Sequence, residues 1–242
     1  MNNLIQGAQY LFRGFGLIQR KGVRHYAYLP IAINTILFSF AIFYGINVFD
    51  QWMTNLIPSW LPDWLTSVLM WVLWPVFTAL LMLIVFFTFS IIANLLAAPF
   101  NGALAEAVEI NLSGETPASF SWQQVVKDTP KMIFNEFKKL VYLLIWITPL
   151  LILSFIPVLN IASPVLWVLF SSWILALDYH DYPMGNHQLL FKQQREILRQ
   201  KRSLALGFGI ATMGATMIPI VNFFVIPAAV AGATALFIEK LK

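Results

Sequence analysis

Not one cysteine occurs in the 242 residues. That excludes a thiol nucleophile, an iron–sulfur site, a Cys-liganded zinc and a disulfide scaffold. Charge is scarce as well: Asp, Glu, Lys and Arg make up 11% of the chain, less than half of the roughly 25% usual in a soluble domain. The sequence also lacks a phosphate loop, an H-E-x-x-H pair and a G-x-S-x-G elbow, so no nucleotide motor, zinc protease or hydrolase signature is present. What the chain has instead is apolar surface, with 59% hydrophobic residues and a mean hydropathy of +0.74. It reads as an all-α integral membrane protein, a single membrane domain over residues 1–242.

Four stretches carry neither charge nor histidine: 26–49, 64–105, 140–177 and 203–238. A helix needs about 20 apolar residues to cross a hydrocarbon core. The first stretch therefore predicts one spanning helix over 26–49, and the second a long or tilted one over 64–98. Each of the last two is too long for one helix and short for two, and each is broken by a similar string. Ile156-Pro157-Val158-Leu159-Asn160 interrupts one and Ile218-Pro219-Ile220-Val221-Asn222 the other, with Pro164 and Pro227 following. Proline discourages helix in the residue before it, and Asn suits turns. Each stretch thus predicts two helices of about 17 residues folded into a re-entrant hairpin, the alternative being four short ordinary spans.

Every Lys and Arg falls within 13–24, 127–139 or 192–202, or at Lys240 and Lys242, and none lies in 50–63. The excess of Lys and Arg on cytoplasmic loops places both termini, the segment 99–139 and the basic segment 178–202 in the cytoplasm. It places 50–63 outside, where Trp52, Trp60 and Trp64 form an interfacial belt. No cleavable signal peptide is expected. Residues 1–25 open on an amphipathic helix lying in the interface, with Leu4, Ala8, Leu11, Phe15 and Ile18 on one side and Gln6, Gln9 and Arg13 on the other. Gly14, Gly16 and Gly22 are expected to loosen the chain after it. A second interfacial helix, 186–202, sets Lys192, Arg195, Arg199 and Arg202 on one face, suited to anionic headgroups or to an anion funnel. No nucleic-acid-reading motif accompanies these cations. Gly207, Ala211 and Ala215, four apart, suit close helix packing.

Candidate chemistry is sparse. Asp178, His180, Asp181 and His187 include ligand types, and a membrane metalloenzyme is one reading of them. The other is an interfacial cap, with Pro183, Gly185 and Asn186 in a turn. The spans hold no carboxylate or lysine of the kind that marks a proton relay. They hold neutral polar groups, among them Asn34 and Asn94, which suit either helix–helix hydrogen bonds or a conduction route. Glu106 and Glu109 follow the second span, as guards of an inner mouth or as solvated helix positions. The most specific arrangement is Arg20-Lys21-Gly22-Val23-Arg24-His25, just ahead of the first span. Unpaired N–H groups at a helix start, a glycine that lets them converge, and Arg24 with His25 make a site for a tetrahedral dianion. Positive-inside anchoring is the competing explanation. Arg20 and Lys21 are expected to act only as screened surface cations.

Three strings carry a family resemblance: Gly22-Val23-Arg24-His25 with Leu29-Pro30, Ala98-Pro99-Phe100-Asn101 with Leu104-Ala105-Glu106, and Asp181-Tyr182-Pro183-Met184-Gly185-Asn186-His187. Over essentially its whole length the chain resembles the CysZ family of bacterial inner-membrane sulfate permeases. The resemblance implies sulfate uptake for cysteine biosynthesis, two long spanning helices with two pairs of half-penetrating helices, and an oligomer enclosing the path. It implies sulfate binding at Gly22, Val23, Arg24 and His25, the last replacing a second arginine of the family pattern. The resulting expectation is a non-enzymatic sulfate permease without cofactor or metal, with sulfate, membrane lipids and further copies of itself as partners. Its pathway residues would be Asn34, Asn94 and Glu106. The other readings are the metalloenzyme and a non-transporting scaffold.

Overall fold

The computed structural model describes residues 2–56, 61–114 and 122–242. Every regular element among them is helical: α1 (Asn2–Leu17), α2 (Arg24–Leu56), α3 (Asp63–Ser113), α4 (Trp122–Phe155), a 3-10 turn (Leu159–Ala162), α5 (Ser163–Asn186), α6 (Phe191–Gln200), α7 (Arg202–Thr216) and α8 (Pro219–Leu236), closed by a π turn at Phe237–Leu241. Among the described residues, four segments are long and apolar enough to cross a bilayer: Asp63–Leu83, Phe134–Phe155, Leu159–Asn186 and Val221–Leu241. The all-helical membrane class is therefore as the composition predicts. Two compact units divide the chain, Tyr28–Pro99 and the remainder.

In the Tyr28–Pro99 unit, α2 and α3 pack antiparallel. Phe49 is buried between Trp74 (ring centroids 4.5 Å) and Phe77 (3.8 Å). One turn back, Gly45 faces the Leu81 side chain. Elsewhere this unit turns apolar groups outward, Phe43, Trp71 and Trp64 included, as a surface that faces acyl chains must. Trp52 and Trp60 have side chains outside the described residues.

The larger unit is built around α8. From Pro227 to Phe237 every residue is buried, enclosed by α1, α5 and α7. α1 is amphipathic as expected, but its buried row is Gly7, Tyr10, Leu11, Gly14, Leu17 and Ile18, while Leu4 is exposed. The row is rotated from the one read off the large apolar residues, because two glycines count as packing surface. A Cβ on Gly7 would strike the Leu204 carbonyl oxygen, and one on Gly207 the Leu4 carbonyl oxygen. The helices therefore cross backbone to backbone, the close approach that small residues permit. Gly14 and Gly16 do not loosen the chain but lie inside α1. Burial of Leu11 and Leu17 contributes about 1.5–3 kcal/mol each relative to water. Where the two termini meet, Arg13 grips Glu239 through both oxygens (2.6 and 2.7 Å) and the Tyr10 hydroxyl donates to the same carboxylate at 2.9 Å. Burial, and then that carboxylate, push the Tyr10 phenol up to about 12.

Both proline-marked stretches fold as helix–turn–helix, with two corrections. The first pair has longer arms than the expected 17 residues: α4 has 34 and α5 has 24. Helix continues through the charged flanks because their charges pair, Lys139 Nζ standing 2.9 Å from Asp178 and 3.4 Å from Asp181. The arms are antiparallel, tied by Trp173 Nε1 donating to Tyr142 Oη (3.0 Å) and Trp167 Nε1 to Ser154 Oγ (3.1 Å). Pro157 and Val158 make the turn, Val158 with φ of 73°. The second turn falls at Met217 and Ile218, ahead of the proline. Pro219, whose missing N–H is no loss at a helix start, opens α8, and the Asn222 N–H already donates to the Ile218 carbonyl at 2.8 Å.

Candidate anion-binding site

α1 ends at Leu17, and the chain reverses through residues 18–23 into α2. The reversal closes on one acceptor: the Val23 and Arg24 N–H groups both donate to the Arg20 carbonyl at 3.1 Å. This curl requires Gly22 at φ +88°, a conformation that side chains with a Cβ avoid. Val23 is fully buried and joins the core, which pins the turn to the larger unit. Its N–H is committed to the turn, so Val23 anchors rather than donates outward. Gly22, Arg24 and His25 are exposed. Arg24 is the first residue of α2, so two basic side chains stand at the positive end of a 33-residue helix dipole. The arrangement gathers cationic charge and carries no carboxylate within the turn.

Arg20 is not a free surface cation. Its Nη1 donates to Asn111 Oδ1 at 3.0 Å, tying the turn to the last coils of α3. Those coils carry Glu106, which is exposed, and Glu109, which is 1% exposed. The solvated position foreseen as one reading for Glu109 is thus excluded. Its oxygens lie 2.9 and 3.0 Å from His187 Nε2, and one lies 3.4 Å from Lys242 Nζ. The signal for this was present: Asn101, Leu104, Ala105 and Val108 form the buried row of α3, and Glu109 continues it. Beside that pair, Asn186 Nδ2 donates to the Gly102 carbonyl at 3.0 Å. The third resemblance string therefore packs on α3 at Gly102 and Glu109, beside residues of the second.

The four residues of the metal reading are divided among three partners. Asp178 and Asp181 take Lys139, His180 Nδ1 meets the Ala176 carbonyl at 2.7 Å, and His187 meets Glu109. Among the described residues, no group of three or more His, Asp and Glu is placed to hold a metal. Asn34 lies on α2 and Asn94 on α3, with side chains outside the described residues.

A family model described as "Sulfate transporter CysZ/Etoposide-induced protein 2.4" matches residues 10–227. The chain belongs to this family. Among its CysZ relatives, the "Sulfate transporter CysZ" of Pseudomonas fluorescens (strain Pf0-1) is 44% identical over 239 residues, covering 98% of this chain and 94% of the relative. Proteins of that name from Pseudomonas syringae pv. tomato (strain DC3000) and Pseudomonas aeruginosa (strain LESB58) are 43% and 41% identical. They match over 98% of this chain and over 93% and 96% of their own lengths. The CysZ match takes in the Gly22 turn, the α3 tail and the end of α5 alike.

Proposed function

We propose that this protein is a sulfate permease, a channel-like transporter with no energy source of its own. The observation that carries the reading is the exposed Arg24–His25 pair beside left-handed Gly22 at the start of α2, in a chain of the CysZ family. A sulfate dianion rests against the first turn of α2, clamped by Arg24 and assisted by His25, with Gly22 leaving room for its approach. Val23 and Arg20 shape the turn from below. Asn34 and Asn94 continue the route, since amide N–H groups solvate an oxyanion without trapping it, and Glu106 stands near its inner mouth. The protein is a homo-oligomer of the bacterial inner membrane, with both termini cytoplasmic, α1 and α6 at the interface, and cysteine biosynthesis as the destination of the sulfate.

Two half-penetrating hairpins complete the reading. From the Lys139–Asp178 ion pair to the first turn is roughly 17 residues, about 25 Å of helix, less than a hydrocarbon core of about 30 Å. Exposed apolar side chains at the turns support it: Phe155, Val158 and Ile161 at the first, Met217 and Phe223 at the second. A turn emerging into water would present polar groups there.

Sulfate flux into liposomes holding the purified protein is the deciding measurement. Flux above empty liposomes is expected, and Arg24→Ala should weaken sulfate binding by one to two decades, a charge-assisted hydrogen bond contributing about 1.5–3 kcal/mol. Lys21→Ala should change binding little. Equal small losses in both variants would reduce the segment to a membrane anchor, and absence of flux would leave the scaffold reading.

A further inference from the structure

α6 is held at a defined level. The Phe191 N–H donates to Asn135 Oδ1 on α4 at 3.0 Å, and Gln194 Nε2 donates to Asp181 Oδ1 on α5 at 2.6 Å. Phe191, Gln194 and Leu198 are buried beneath it. The helix therefore lies across the layer formed by Lys139, Asp178 and Asp181, where the apolar stretches of α4 and α5 give way to ions. Its cations are not spread evenly around it. Lys192, Arg195 and Arg199 line one flank, at three- and four-residue spacing, and Lys192 and Arg199 are exposed. The Arg195 guanidinium lies 5.1 Å from the Tyr142 ring centre, so this flank faces α4. There Lys138 Nζ stands 4.6 Å from the Phe134 ring centre, and Phe134, Val141 and Ile145, on the same side of α4 at three- and four-residue spacing, present an exposed apolar wall. Glu196, the one carboxylate of α6, stands one turn from Lys192 and from Arg199 at the edge of that flank, and the charge of Glu136 acts on Lys139.

Cations at the water boundary above an exposed apolar wall match an amphiphile with an anionic head and acyl tails. We propose that the α6 flank, with Lys138, docks the headgroup of an anionic phospholipid whose acyl chains run along α4. The site is separate from the Gly22 turn and rests on the membrane placement of α4 and α5, not on sulfate transport.

Native mass spectrometry of the full-length protein, from micelles holding equal phosphatidylglycerol and phosphatidylcholine, tests it. Phosphatidylglycerol should be retained in preference. Lys192→Gln with Arg199→Gln should lower that retention about ten- to thirtyfold, at about one decade or less per cation near a charged surface. Glu196→Gln and Arg199→Lys should retain it, with melting temperatures confirming that all variants are folded. Equal retention of the two lipids by the unaltered protein, or undiminished retention by the double variant, overturns the proposal. So does displacement of the lipid by millimolar sulfate, which would mark a site for free oxyanions.

Discussion

The Arg20 guanidinium donates to Asn111 Oδ1 at 3.0 Å, and the carbonyl of the same Arg20 receives the Val23 and Arg24 N–H groups. One residue thus shapes the turn with its backbone and tethers it to α3 with its side chain. Arg20→Ala and Asn111→Leu should each weaken sulfate binding about two- to fivefold, as fits an exposed hydrogen bond of roughly 0.5–1 kcal/mol. The double variant should be no worse than either single one, because both remove one contact. Calorimetric titration at fixed ionic strength reads this. An Arg20→Ala loss equal to that of Lys21→Ala would make Arg20 a surface cation after all.

The cysteine-free chain suits a topology measurement. Single cysteines replacing Val158 and Met217, both exposed at the hairpin turns, should resist an impermeant thiol reagent added outside intact cells. A cysteine replacing Asp63, which is exposed at the end of the predicted outer segment, should label readily. Ready labelling at both turns would establish full crossings.

The α1–α7 crossing makes a sharp stability contrast. Gly207→Leu would force apart backbones that touch, and overpacking of this kind costs about 1–3 kcal/mol or more. The melting temperature in detergent should fall by several degrees. Gly16, at the other end of α1 and facing open space, should accept alanine with no loss or a slight gain, since helical Gly is disfavoured by about 1 kcal/mol. Equal responses would mean that α1 is not docked through this contact.

Replacing Asn34 or Asn94 by Leu should reduce sulfate flux while leaving binding at the Gly22 turn intact, because neither is part of the turn. Stopped-flow flux beside equilibrium binding separates the two quantities. Unchanged flux in both variants would return these residues to helix–helix hydrogen bonding.

Charge and apolarity along the chain were enough to establish a helical membrane protein with two proline-marked helix–turn–helix pairs, because both follow from local chemistry. Apolar length determines what a bilayer accepts, and proline's missing donor acts on its immediate neighbours. The cationic Arg20–His25 turn was legible for the same reason, being six adjacent residues with one conformational demand. Helix ends in α4 and α5 were not, since pairing of Lys139 with Asp178 and Asp181 joins residues about forty positions apart. The buried face of α1 depended on Gly7 and Gly14, which have no hydrophobicity to reveal them and acquire meaning only against the carbonyls of Leu204 and Ala228. Likewise Glu109 reads as one more exposed carboxylate until the fold brings His187 and Lys242 to it. Composition decided where the chain lives; which polar groups are spent on one another, and which stay open to an anion, was decided by contacts that only the folded chain makes.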